Sequence, residues 1–139
     1  MSEFEGRRYE VLQVLGEGGY GRVYRARMEG PGGFRKEVAI KLLNKTNAPE
    51  AILERFRDES RILGLIRDRA IISVEPPTRL DGRWAVVMEY VEGVTAAKLL
   101  SVGVLPPKVA LEIVQEVARA LDRVHQSPGI DGQALELIH

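Results

Sequence analysis

Three glycines, Gly16, Gly18 and Gly21, are spaced G-x-G-x-x-G within "LGEGGYGRVY" (Leu15–Tyr24), and the stretch after them reads as a strand. That order restricts the fold more than any other feature of the chain. In "RVYRARM" (22–28), Val23, Arg25 and Arg27 alternate with Tyr24, Ala26 and Met28, the period-two pattern of a half-buried strand. Residues Tyr9 to Leu15, ahead of the glycines, read as another strand. A dinucleotide-binding fold needs a different order, because its glycine motif opens a helix whose N-terminus holds the pyrophosphate. Glu37 stands about where that fold's acidic ribose ligand is sought, but the element after the glycines is wrong. Two readings of the isolated motif remain. One is a hairpin turn that merely needs glycines; the other is a strand–loop–strand cover for nucleotide phosphates.

The chain continues through a turn-rich stretch, Glu29–Glu37, to a third strand, "VAIKLL" (Val38–Leu43). A helix is expected from an N-cap near Asn47, with Glu50 three residues on and an apolar stripe of Ile52, Phe56, Leu63 and Ile66. Thr78–Leu80, an Asp81-Gly82 turn and Trp84–Met88 predict a hairpin. After Glu89–Gly93 the pattern turns helical. Thr95 is placed to cap a short helix to about Leu100, and Pro106-Pro107 to open a longer one to about Gln126. "LELIH" at the end reads as a short strand. A strand-rich half is thus followed by a helical half.

The third strand carries the decisive oddity. Lys41 points to the same face as Ala39 and Leu43, and a buried ammonium needs an anion. On the first helix, Ile52, Phe56, Glu59, Leu63 and Ile66 follow one another at steps of four, three, four and three, so Glu59 lies on the apolar stripe. Either charge alone has a bland explanation in a solvated edge or face. Opposite misplaced charges on adjacent elements predict that Lys41 and Glu59 pair.

Composition removes other classes of function. Twenty Lys and Arg balance twenty Asp and Glu, so no net field favours nucleic acid or an anionic membrane. The absence of Cys excludes disulfides, thiolate zinc sites and a thiol nucleophile. The charged start "MSEFEGRRYE" has no apolar h-region, and no apolar run approaches a membrane span. The expected location is cytoplasmic.

Taken together, these residues resemble the eukaryotic-like (Hanks-type) protein kinases, in particular their bacterial serine/threonine members. "LGEGGYGRVY" looks like the glycine-rich loop, "VAIK" (Val38–Lys41) like the third-strand lysine motif, Glu59 in "FRDESRIL" like the helix-C glutamate, and "VVMEYVEG" (Val86–Gly93) like the gatekeeper and hinge. The resemblance implies an α+β fold: a small lobe with an antiparallel sheet of about five strands plus helix C, a hinge, and helices D and E of a large lobe. Residues 1–8 would be an N-terminal extension, 9–88 the small lobe, 89–93 the hinge and 94–139 the start of the large lobe.

The roles it implies are these. ATP would be bound by Leu15, Gly16, Glu17, Gly18, Gly19, Tyr20, Gly21, Arg22, Val23, Ala39, Lys41, Met88, Glu89 and Val91. Within that set, backbone N–H groups from Glu17 to Gly21 approach the phosphates, with Tyr20 at the loop tip, and Lys41 meets the α- and β-phosphates while Glu59 supports it. Leu15, Val23 and Ala39 roof the adenine and Met88 is the gatekeeper. The Glu89 carbonyl and Val91 N–H bond the base, with Tyr90 pointing away.

The chain departs from the family's His-Pro-Asn-like turn, with Asp68, Arg69 and Ala70 in its place, a stretch that reads plainly as a solvated charged loop. It stops at His139, which matches the His of the H-R-D catalytic loop. The catalytic Asp and the Mg²⁺-binding side chains would lie beyond, so the chain holds no metal ligand or catalytic base and is expected to be inactive alone. A protein substrate and Mg²⁺ belong to the complete family domain. The alternative is a non-catalytic, pseudokinase-like nucleotide-binding or interaction module. The long helix, apolar at Val109, Ile113, Val117, Leu121 and Val124, is expected to promote self-association.

Overall fold

The computed structural model describes residues 2–4, 6–18, 21–44 and 49–127. Gly19, Tyr20, Asn47, the expected strand "LELIH" with His139, and the side chain of Glu59 lie outside the described residues. The chain forms two compact units, one of residues 1–65 and 73–90, the other of residues 66–72 and 91–139.

The first unit is a six-stranded antiparallel sheet with one helix. Its strands are β1 (Ser2–Phe4), β2 (Arg7–Gly18), β3 (Gly21–Glu29), β4 (Arg35–Leu43), β5 (Thr78–Leu80) and β6 (Arg83–Glu89), in the order β1-β2-β3-β4-β6-β5. Five were expected. The sixth, β1, arises within the expected N-terminal extension. Gly6, at φ 73°, lies in the turn after which Arg7–Tyr9 pair antiparallel with Ser2–Phe4, a backbone region that glycine enters without steric cost. The sheet curls until its edges β1 and β5 approach. The β5–β6 hairpin forms around Asp81 (φ 50°) and Gly82 (φ 76°), a two-residue turn with both residues left-handed, for which Asp-Gly is favoured.

The central strand β4 is covered on both faces, which explains its unbroken apolar run. On one face Val38 and Ile40 join Tyr9, Ala26, Met28, Leu80, Ala85 and Val87 in a core. On the other, Leu43 and Val86 pack with Phe56 of α1 (Glu50–Leu65), surrounded by Ile52, Leu53, Val74, Trp84 and Met88. The helix starts where the Pro49 carbonyl accepts from Ile52 N–H at 2.9 Å and Leu53 N–H at 3.1 Å. It ends at Leu65, so Ile66 of the expected stripe is buried beyond the helix, in the other unit.

The second unit carries α2 (Ala96–Val102) and α3 (Pro107–Gln126). Thr95 caps α2, its hydroxyl oxygen accepting from Lys98 N–H at 3.1 Å, and Pro107 occupies the first turn of α3. The charged turn at Asp68–Ala70 is tied to α3. The Asp68 carboxylate has no exposed surface; it accepts from Ala70 N–H at 2.8 Å and lies 3.3 Å from Arg119 and 3.0 Å from Arg123. Arg69 bonds Glu116, which also holds Arg119 at 2.9 Å. These charges are therefore an anchor and not a solvated loop. Only Ala120 and Val124 of α3 are buried, while Leu111, Val114, Val117 and Leu121 stand more than half exposed.

Candidate functional site

The glycine hairpin joins β2 and β3, whose last described pair is Gly18–Gly21. Irregularities between Val11 and Gln13, and between Val14 and Gly16, interrupt the ladder, as extra residues do where a strand must bend. The three glycines of the motif differ in what the fold asks of them. A Cβ on Gly21 would lie 2.4 Å from the Leu42 carbonyl oxygen, so packing against β4 alone demands glycine there. A Cβ on Gly16 or Gly18 would meet nothing within 4 Å, and neither residue has a left-handed φ. Gly21→Ala is therefore expected to destabilise the first unit by about 1–3 kcal/mol, measured as a lower urea midpoint. A loss no larger than that of Gly18→Ala would show that β3 does not pack this closely on β4.

Register aligns the hairpin with the lysine. Gly16 is opposite Val23, Val23 opposite Lys41, and Lys41 opposite Val86, and directly opposed residues share a face. The next row runs Arg25–Ala39–Met88. Ala39 is buried, Val23 and Met88 half-buried, and Leu15 exposed. On the loop, Glu17 and Arg22 pair across the strands at 2.8 Å, and this carboxylate holds the guanidinium above its ordinary pKa. Both side chains are about half exposed, so the pair adds little stability.

Lys41 is half-buried on the α1 side of the sheet. With Phe56, Ser60, Leu63, Val74, Val86 and Met88 it lines a cavity of about 20 Å³. Glu59 is carried by α1, three residues after Phe56 and four before Leu63. Ser60 escaped the sequence reading. It is buried on the inner face of the helix, and its hydroxyl donates to the Phe56 carbonyl at 2.6 Å. The signal was a small polar residue four positions after Phe56, able to satisfy itself within the helix.

The strand leading out of the sheet is held by a segment the sequence left unassigned. Glu75 N–H donates to Val87 O at 2.8 Å, and Glu89 N–H to Ser73 O at 2.9 Å. Ser73 N–H donates to the Glu89 carboxylate at 3.2 Å, and Val74 forms a bridge with Met88. Such long-range backbone pairing leaves no local pattern. Tyr90 comes next, its ring under Arg25, 4.8 Å from guanidinium carbon to ring centre, and Val91 is exposed.

Residues 9–130 match the protein kinase domain family. A probable serine/threonine-protein kinase of Clostridium perfringens is 38% identical over 126 residues, covering 88% of this chain and 18% of that protein. The serine/threonine-protein kinase PrkC of Bacillus subtilis is 34% identical over 122 residues, covering 86% of this chain and 18% of its own length. The crystal structure of the Mycobacterium tuberculosis PknI kinase domain superposes with a TM-score of 0.67 at 32% identity, covering 89% of this chain and 50% of the other. The chain thus spans about a fifth of the length of these curated relatives.

Proposed function

Because this chain belongs to the protein kinase domain family, as an N-terminal portion of that domain, we propose that its first unit binds ATP beneath the glycine hairpin. The observation that carries this reading is the row Gly16–Val23–Lys41. It sets a lysine in line with a hairpin whose glycines 16 and 18 have no structural need to lack a side chain. Backbone close to a phosphate supplies that need.

In this reading the N–H groups from Glu17 to Gly21 meet the phosphates, with Gly19 and Tyr20 at the tip and Arg22 flanking them. Lys41 neutralises the α- and β-phosphates, and Glu59 supports it. Leu15, Val23 and Ala39 cover the base, Met88 closes the back, and Glu89 C=O and Val91 N–H bond its edge. Residues 9–88 serve as the small lobe, 89–93 as the hinge and 94–139 as the start of the large lobe, in the cytoplasm. In the complete domain, ATP with Mg²⁺ supplies the γ-phosphoryl group for a serine or threonine hydroxyl of a protein substrate. Residues 1–139 by themselves carry no counterpart of the family's catalytic Asp, and we propose that on their own they bind without transfer.

Calorimetry on this chain is expected to find weak ATP binding that changes little with Mg²⁺. Lys41→Met is expected to weaken it about tenfold or more, the loss of a charge-assisted phosphate contact. Unchanged binding by Lys41→Met would overturn the reading. Self-association through α3 belongs to the same proposal, because Leu111, Val114, Val117 and Leu121 lie in water. Light scattering is expected to show oligomers that Leu111→Lys with Val114→Lys disperses. A monodisperse monomer at high concentration would count against it.

A further inference from the structure

The geometry points to Arg25 as a positioning residue that, clamped by Glu37, fixes Tyr90 and thereby the segment proposed to read the nucleotide base. Arg25 on β3 sits opposite Ala39 of β4, which sits opposite Met88 of β6, so it stands on the face assigned to the base. Glu37, two residues before Ala39, points to that same face. Its carboxylate oxygen Oε2 is 2.7 Å from Arg25 Nη2 and 2.9 Å from Nε, a fork that fixes the guanidinium plane. That plane covers the Tyr90 ring at 4.8 Å, inside the range of a cation–π stack.

Tyr90 lies directly between Glu89 and Val91, whose main-chain groups are proposed to bond the base. Glu89 is held from elsewhere by Ser73, through its own N–H at 2.9 Å and its carboxylate at 3.2 Å. With Glu89 held by Ser73 and Tyr90 by Arg25, the peptide between them has little rotational freedom. An ion pair on an exposed sheet surface commonly does nothing measurable. Here Arg25 is 30% and Glu37 39% exposed, and the aromatic stack gives the pair an object to hold. The clamp rests on the nucleotide reading for its purpose, but its geometry stands without it.

The test uses the full chain and two ligands, ATP and inorganic tripolyphosphate, with hydrogen exchange of the Tyr90 and Val91 amides measured in the absence of either. Arg25→Ala and Tyr90→Ala are each expected to raise the ATP Kd about three- to tenfold, the loss of one cation–π stack. Tripolyphosphate binding should not change, because it lacks the base. The double variant should be no worse than either single one, Tyr90→Phe should bind as the parent does, and exchange at both amides should quicken in the two alanine variants. Equal weakening of ATP and tripolyphosphate, or unchanged exchange in both alanine variants, overturns the clamp. If the parent chain binds neither ligand, the nucleotide reading fails, and exchange alone decides the clamp.

Discussion

Phe56→Ala is expected to remove about 3–5 kcal/mol of stability, as large-to-small changes at buried aromatic positions do. Phe56 is 4% exposed and packs on Leu43 and Val86, themselves 1% and 4% exposed. It is the most deeply buried described side chain of α1. Removing the ring leaves a void beside the cavity that Lys41 shares with Ser60, Leu63 and Val74, and close-packed neighbours relax into such a void only in part. Against a usual domain stability of about 5–15 kcal/mol, the loss is enough to leave the helix poorly attached to its sheet. Urea denaturation followed by Trp84 fluorescence, with an unchanged slope, measures it. A loss under about 1 kcal/mol would mean that Phe56 does not dock α1.

Asp68→Asn is expected to lower the thermal midpoint markedly at neutral pH and scarcely at all in acid. The asparagine keeps an acceptor for Ala70 N–H but loses the charge facing Arg119 and Arg123. In the folded chain the Ala70 N–H bond, followed by the two guanidiniums, holds the Asp68 carboxyl below its ordinary value of 3.8 against the opposing effect of burial. Glu116 is lowered likewise, first by Arg119 and then by Arg69. A folded pKa below the unfolded one means stability that is present above the unfolded value and lost as pH falls through the folded one. The gap between parent and variant should therefore be full near pH 7 and close below about pH 4. Thermal unfolding followed across that range provides the check. A gap that does not vary with pH would show that the carboxylate acts only as a turn acceptor.

The strands, the Asp81-Gly82 hairpin, the Thr95 cap and the proline start of α3 were legible because each is written within a few neighbouring residues. Periodicity places Ala26 and Met28 on one face and Arg25 on the other without reference to any partner. The order of the four motifs likewise identified the family, since each motif is a local string. The misplaced charge at Lys41 did not by itself mark a covered face of β4, since a solvated edge strand explains it equally well. It was informative only beside the opposite charge of Glu59 on the apolar stripe of the next helix. Other features had no such local signature. Gly6 and β1 were missed because a three-residue strand has too short a pattern to separate from an extension. Gly21 looked like its two fellow glycines, yet it alone is pressed against the Leu42 carbonyl, an approach set by how β3 lies on β4. Ser73–Glu75 pairs with β6 through main-chain groups that every residue possesses, so nothing in its side chains announces it. The charges of "RDRA" read as solvated because polarity in a sequence shows that a group needs a partner or water, not which of the two it receives. For Asp68 the partners, Arg119 and Arg123, lie 51 and 55 residues away, and only folding brings them within reach.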